Sequence, residues 1–227
     1  MRKLIKYFIA RTYKPLLVQY LSVTRNYEYK GIRLSIPTQV FHPGFFFSTK
    51  LLLRYVAKYP LKGSSFLELG AGSGLISIFA AKQGARVTAT DINPIAIECL
   101  QKNSLNNHVQ LEIIHADLFN DIAPRSFDFI AINPPYYKKQ PLSEADYAWY
   151  CGTNNEYFKR LFQGLGSYMH SSSIVLMVLC DGCDIETINI MAQTEGFILD
   201  CVHTSQNLVE KNFIYKLNIH HEIAGIQ

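Results

Sequence analysis

At 227 residues the chain has room for one generously sized domain with a sizeable core and a short extension. A composition 48% hydrophobic and 18% charged, with no long uninterrupted apolar span, internal repeat or low-complexity tract, is that of an ordinary soluble globular protein and excludes a membrane-spanning one. The net charge of +4 is lopsided. Eight basic residues (Arg2, Lys3, Lys6, Arg11, Lys14, Arg25, Lys30 and Arg33) face only Glu28 up to residue 33, a balance of +7, and the remainder carries −3. Such an arm points to an acidic partner such as RNA, although a solvated helix face gives the same count. The start MRKLIKYFIA is interrupted by Lys6 too soon to be a secretory leader, and five cysteines form an odd set, so a reducing cytoplasm is expected.

In chain order, residues 3 to 22 have near-helical apolar spacing broken at Pro15, and YEYKGIRLSI alternates about Lys30-Gly31 as a hairpin does. VFHPGFFFSTKLLLRYVAKY predicts a loop entering a helix, with Ser48 or Thr49 as its cap. From Ser64 onward strands and helices alternate. SFLELG, RVTATD, VQLEIIHAD, FDFIAIN and SIVLMVLC read as strands, and GLISIFAAKQ, PIAIECLQKNSLNN, EYFKRLFQGLGSYM and ETINIMAQTEG as helices. FILDCVHT and FIYKLNIH follow with no helix between them. The pattern predicts an α/β fold, a doubly wound and mostly parallel sheet with an antiparallel pair of strands at its C-terminal edge. We divide the chain into a basic extension, 1–40, and a domain, 41–227. In such sheets ligands bind outside the carboxyl ends of the strands, where strand order reverses.

The polar signals fall at those strand ends. Glu68-Leu69-Gly70-Ala71-Gly72-Ser73-Gly74 is a glycine-rich turn from strand to helix, where the backbone can approach a ligand and helix N–H groups point at it. It lacks the Gly-Lys-Ser/Thr of a P-loop, and the dinucleotide spacing GxGxxG would put its third glycine at Leu75. Asp91 ends the next strand, 21 residues after Gly70, where an acidic group accepts ribose hydroxyls. Asp117 ends the third and can accept from a base amino group. Ile132-Asn133-Pro134-Pro135-Tyr136-Tyr137 ends the fourth, because two consecutive prolines supply no N–H to a ladder. Cys180-Asp181-Gly182-Cys183 has no second CxxC, follows a strand rather than opening a helix, and is read as structural; no metal site is expected.

A nucleoside site without a phosphate-binding lysine, close to Glu68, resembles that of the class I S-adenosylmethionine-dependent methyltransferases, with their seven-stranded Rossmann-like sheet. The resemblance covers the chain from about Phe41 to the end. It implies that Glu68 and the loop Gly70, Ala71, Gly72 and Gly74 serve the methionine half of the cofactor, Asp91 and Ile92 the ribose, and Asp117 and Leu118 the adenine, with S-adenosylhomocysteine as product. Members with Asn-Pro-Pro-Tyr at the fourth strand methylate a planar nitrogen. By that likeness Asn133, Pro134, Pro135 and Tyr136 are catalytic: the asparagine oxygen and the Pro134 carbonyl accept the two N–H groups, Asn133 also borders the cofactor, and Tyr136 stacks on the flat acceptor.

TDINPIAIE, NPPYY and DYAWYCGTNNEYFKRLF resemble the HemK/PrmC glutamine methyltransferases, especially the short ones acting on translation release factors. Ala148, Gly152 and Asn154 match that family's A-x-x-G-G-x-N/D-G segment, while Cys151 and Asn155 stand where it has glycine. Thr49 matches the upstream Pro-x-x-x-Thr-x-x-Leu form, with Ser48 in place of its acidic neighbour, and Thr49 and Tyr137 join Tyr136 as substrate-side residues. The bacterial members' separate helical domain has no counterpart in the 45 or so residues before this region. The implied partner is a macromolecular substrate, a release-factor-like protein. The competing acceptor is an RNA base, favoured by the basic arm, Lys138-Lys139 and the tyrosine pair. A cofactor-binding module without catalysis is the third reading, opposed by the presence of Asn133 with both prolines. The sequence leaves the oligomeric state open.

Overall fold

The computed structural model describes residues 20–207 and 210–219, so the expected helix before residue 20 lies outside the described residues. The elements are β1 (Arg25–Tyr29), β2 (Ile32–Ile36), α1 (Phe47–Val56), β3 (Ser65–Leu69), α2 (Leu75–Lys82), β4 (Arg86–Asp91), α3 (Pro94–Asn106) and β5 (Glu112–His115). They continue with β6 (Phe129–Ile132), α4 (Glu156–Leu165), β7 (Ile174–Cys180), α5 (Ile185–Thr194), β8 (Phe197–Gln206) and β9 (Lys211–Ile219). A 3-10 turn at Glu144–Ala148, which the sequence pattern does not signal, interrupts the loop after β6.

The hairpin forms as its sequence dictates. β1 and β2 pair antiparallel about Lys30 and Gly31, both at positive φ (51° and 74°), the backbone that a two-residue primed turn requires. Alternation along β2 buries Ile32, Leu34 and Ile36 in the core that α2 and α3 share, and each such side chain contributes about 1.5–3 kcal/mol. The outer edge of β2 would leave backbone groups unpaired next to α3. Two asparagines of that region take them up: Asn103 Oδ1 accepts from the Ser35 N–H at 2.8 Å, and Asn107 accepts from the Arg33 N–H at 3.1 Å and donates to its carbonyl at 2.7 Å.

The main sheet has seven strands in the order β5-β4-β3-β6-β7-β9-β8. Strands β5, β4, β3, β6 and β7 are parallel, β9 runs antiparallel to β7, and β8 antiparallel to β9. The C-terminal pair is therefore antiparallel as expected, with β9 inserted inside the sheet and β8 alone as its edge. Central strands buried on both faces read as continuous apolar runs. β6, Phe-Ile-Ala-Ile, is buried throughout. Its alternate residues feed two cores: Phe129 and Ala131 join Phe66, Leu176 and Val178 beneath α1, α2 and α3, and Ile130 and Ile132 join Leu67, Val175 and Met177 beneath α4 and α5.

Two local expectations change. α1 starts from Phe46, whose side chain makes no cap, and Ser48 and Thr49 lie buried in its first turn. The Thr49 hydroxyl is committed to Asn133 instead. β5 is four residues, not the nine of VQLEIIHAD, because its ladder with β4 runs only from Glu112 to His115. Asp117 consequently sits beyond the strand, in a turn. Among the described residues no helix is long and apolar enough to cross a membrane.

Candidate active site

Strand order reverses between β3 and β6, which are neighbours in the sheet but not in sequence. The glycine loop leaves β3 and the Asn-Pro-Pro-Tyr segment leaves β6, so both empty onto the crevice that this reversal opens. A cavity of about 320 Å³ lies there. Its wall includes Thr49, Glu68, Gly70, Ala71, Gly72, Asp91, Ile92, Asp117, Leu118 and the run Asn133 to Tyr137. All the residues singled out in the sequence are thus brought together, except Gly74.

On one side the loop is shaped by glycine backbones. Gly70 and Gly72 have φ of 73° and 55°, and a Cβ on either would point into open space, so close approach by a ligand is what their bareness leaves room for. Gly74, at φ 88°, precedes the first turn of α2, and a Cβ there would run into Leu100 of α3. Helix packing therefore excludes a side chain there, and Gly74 is not among the residues that line the cavity.

Asp91 locks this loop to the next strand end. Its Oδ2 accepts from the Gly72 N–H at 2.8 Å and its Oδ1 from the Asn93 N–H at 2.9 Å. Asn93 caps α3 by accepting from the Ile95 N–H, and its amide donates to the Gln39 carbonyl at 2.9 Å, which draws the loop before α1 against the site. The Ile92 carbonyl lies 2.7 Å from His115 Nε2. Burial raises the Asp91 carboxyl above its ordinary value against the N–H groups of Asn93 and Gly72. Glu68, buried and hydrogen-bonded by the Ser77 hydroxyl, is pushed by burial up to about 8. Asp117 accepts from Arg160 at 2.8 Å, and the next residue, Leu118, takes the left-handed φ of 56° that a branched side chain seldom adopts.

The other side is assembled around Asn133. Its Nδ2 donates to Thr49 Oγ1 at 3.0 Å and its Oδ1 accepts from the Tyr136 hydroxyl at 2.7 Å, which fixes the plane of the amide. Tyr136 therefore positions Asn133 through its hydroxyl, in addition to any stacking by its ring. The N–H groups of Tyr136 and Tyr137 both donate to the Trp149 carbonyl, at 3.0 and 2.8 Å, and the Cys151 N–H donates to the Tyr137 carbonyl at 2.9 Å. The segment around Trp149 is thus tied to NPPYY by backbone bonds. Asn155, where the resembling family has glycine, adopts φ 58° at the start of α4, a conformation that asparagine tolerates. Tyr137 is half exposed.

Three wall residues escaped the sequence reading. Phe41, Phe46 and Trp149 pack with ring centroids 4.5 to 5.2 Å apart at the mouth of the cavity. The chain's single tryptophan and the unbroken Phe45-Phe46-Phe47 were the available signals. Arg160 and Glu210 also join the wall, from α4 and from the turn before β9. Among the lining residues the carboxylates of Glu68, Asp91, Asp117, Glu144, Glu156 and Glu210 face one basic group, Arg160. Such a wall favours a cationic or neutral occupant over a phosphate-rich one. No cluster of three or more metal-ligating side chains occurs among the described residues.

Comparison with known proteins agrees with this geometry. The family model of the methyltransferase small domain matches residues 39–149. Residues 39–149 of the chain are thus similar to the methyltransferase small domain. The chain is 37% identical over 110 residues to a putative protein N5-glutamine methyltransferase of Methanocaldococcus jannaschii, covering 48% of this chain and 53% of the relative. It is 36% identical over 86 residues to a tRNA1(Val) (adenine(37)-N6)-methyltransferase of a Flavobacteriaceae bacterium, covering 36% of this chain and 37% of the relative. The chain therefore spans about half or less of the length of these relatives. The chain also superposes on a chain of the E. cuniculi Mtq2–Trm112 complex, described as methylating the eRF1 translation termination factor. The TM-score is 0.60 at 18% identity, over 80% of this chain and 99% of that one.

Proposed function

We propose that the protein transfers a methyl group from S-adenosylmethionine to a planar nitrogen, the side-chain amide of a protein glutamine. The observation that carries this reading is the pinned amide of Asn133, held between Thr49 and Tyr136 on the wall that also carries the glycine loop and Asp91. An amide nitrogen is a weak nucleophile because its lone pair is delocalised into the neighbouring carbonyl. With one lone pair of Asn133 Oδ1 taken by Tyr136, the other accepts one acceptor N–H, and the Pro134 carbonyl accepts the second. The nitrogen is then held with its lone pair directed at the methyl group, and orientation of this kind lowers a barrier by up to about 7–11 kcal/mol. The same two oxygens, already aligned, stabilise the positive charge that grows on nitrogen.

S-adenosylmethionine supplies an electrophilic methyl on a sulfonium and a cationic amine. Glu68, Asp91 and the bare backbone of Gly70 and Gly72 fit such a ligand, being acidic and uncrowded. In the resemblance-based assignment, Asp91 and Ile92 take the ribose and Asp117 and Leu118 the adenine. Phe41, Phe46 and Trp149 offer flat apolar surface to the acceptor, beside Tyr137.

The acidic mouth supports glutamine over RNA, as Glu144, Glu156 and Glu210 repel a phosphate backbone. A base amino group is the second reading, favoured by half-exposed Tyr137 next to Lys138 and Lys139. Much of that positive charge is already engaged, however: Lys138 pairs with Asp184 and Lys139 lies 4.7 Å over the Tyr150 ring. Incubation with tritiated S-adenosylmethionine and a whole-cell extract separates the two. Label resistant to ribonuclease and released by protease is expected; the reverse pattern would replace glutamine with RNA.

A further inference from the structure

Cys180-Asp181-Gly182-Cys183 has a place in the fold that its sequence context did not show. Cys180 ends β7, and α5 begins directly after the pair, capped by Asp184, whose side chain accepts from the Thr187 N–H. The motif therefore closes a strand and leads into a helix, as the order of SIVLMVLC and ETINIMAQTEG implies. The Cys183 N–H donates to the Cys180 carbonyl at 3.0 Å, an i to i+3 turn. Such turns keep the two end Cα atoms within about 7 Å, inside the range of about 4.4–6.8 Å that disulfides span or just at its limit. The two sulfurs already lie 3.9 Å apart.

The surroundings favour a thiolate. The Gly182 N–H donates to Cys180 Sγ and the Cys180 N–H to Cys183 Sγ, both at 3.4 Å. The hydrogen bond from Cys183 is the largest influence holding the Cys180 thiol below its ordinary value. By contrast, burial pushes Cys99 up to about 12 and also raises Cys151. Cys180 is buried and Cys183 half-buried, so the pair opens to small reagents through Cys183. Among the described residues no third metal-ligating side chain joins the pair.

The turn also touches the acceptor side of the cavity. A Cβ built on Gly182 would lie 3.6 Å from the Tyr137 ring, and Asp184 holds Lys138. The Asp181 N–H donates to the Lys211 carbonyl at 2.8 Å, at the start of β9.

We propose that Cys180 and Cys183 are a reactive dithiol that closes to a disulfide by exchange with a small disulfide of the glutathione class, and that closure shifts Tyr137 and Lys138. The hydrogen bond that lowers Cys180 raises Cys183, as burial does, so the pair loses one proton to solvent and the shared thiolate attacks the external disulfide. A mixed disulfide forms and one glutathione thiolate leaves. The remaining thiol gives its proton to that thiolate and attacks the protein sulfur of the mixed disulfide, expelling the second glutathione as a thiolate, which takes up the proton the pair first lost to solvent. Two protein thiols are oxidised by two electrons and one external disulfide is reduced to two thiols. The short turn makes a bond of the labile rather than the structural kind.

The test titrates the full chain carrying Cys201→Ser, which removes the exposed lone thiol, with oxidised and reduced glutathione. Peptide mapping and the emission of Trp149, the chain's single tryptophan, are the readouts. The Trp149 carbonyl holds the Tyr136 and Tyr137 N–H groups, so its emission reports on that loop without reference to methyl transfer. Expected are a Cys180–Cys183 linked peptide, reversal by dithiothreitol, and an emission change absent from Cys183→Ser. Both thiols remaining open to alkylation in excess oxidised glutathione would overturn the dithiol. A disulfide that forms without changing Trp149 emission would overturn its coupling to the acceptor loop.

Discussion

The half of the cavity proposed to hold the cofactor comes from consecutive strand ends: Glu68 to Gly72 at the end of β3, Asp91 and Ile92 at β4, Asp117 and Leu118 beyond β5. The acceptor half is gathered from afar, with Thr49 from α1, Asn133 to Tyr137 after β6, Trp149 from the following loop and Glu210 from the turn before β9. The first half works through backbone shape and carboxylates at a spacing that sequence can carry. The second depends on side chains whose partners lie far away in the chain, 84 residues in the case of Asn133 and Thr49. A defect in the first half should therefore appear in binding, and one in the second half in transfer.

The sharpest break between the halves is expected from Asn133→Ala. Losing an aligned polar group of this kind costs about 2.7–4 kcal/mol of barrier, or 10²–10³ in rate, while calorimetric affinity for S-adenosylmethionine stays within a few-fold. A variant as active as the parent would end the amide-clamp account.

Asp91→Ala should do the opposite. A hydrogen-bonding carboxylate contributes about 1.5–3 kcal/mol, and here both the ligand contact and the Gly72 tether are lost. Unchanged affinity in calorimetry would remove Asp91 from the cofactor half.

Glu68 sharpens the comparison through pH. Its carboxyl is raised from 4.5 to about 8 in the folded protein, so across that window the folded state binds more protons than the unfolded one. Stability of the ligand-free protein should therefore fall as pH rises from about 5 to 8, by on the order of 4 kcal/mol. Glu68→Gln should flatten that slope in thermal denaturation; a variant with the parent's slope would contradict the assignment.

Thr49→Val, which keeps shape and burial but removes the oxygen that accepts from Asn133, should lower kcat by about tenfold or less, a cost of about 1 kcal/mol. KM for the cofactor should hold, and Thr49→Ser should restore the rate. A loss seen only in cofactor KM would move Thr49 to the other half.

Much of the fold could be read in advance because parallel α/β architecture writes itself as alternating apolar runs and helices, and the antiparallel end shows as two strands with no helix between. That the glycine loop and Asp91 meet at one cavity was equally open to reading, since a glycine-rich turn and an acidic strand end follow each other at fixed spacing. Gly74 could not be told apart from Gly70 and Gly72, because a glycine that makes room for Leu100 looks the same in sequence as one facing open space. The cap of α1 was misplaced for a related reason: Ser48 and Thr49 are good capping types, but Thr49 is bound to Asn133 across the fold.

The sequence by itself determined the order of elements, the strand ends that carry polar groups and the break in the ladder at Pro134-Pro135, because each follows from local backbone preference and side-chain period. Only the tertiary structure decided that β9 enters the sheet between β7 and β8, that Thr49 and Tyr136 fix the Asn133 amide, and that Phe41, Phe46 and Trp149 form one wall. It also set Cys180 and Cys183 behind Tyr137. Those are contacts between segments distant in the chain, and their geometry is fixed by packing two cores onto opposite faces of one sheet.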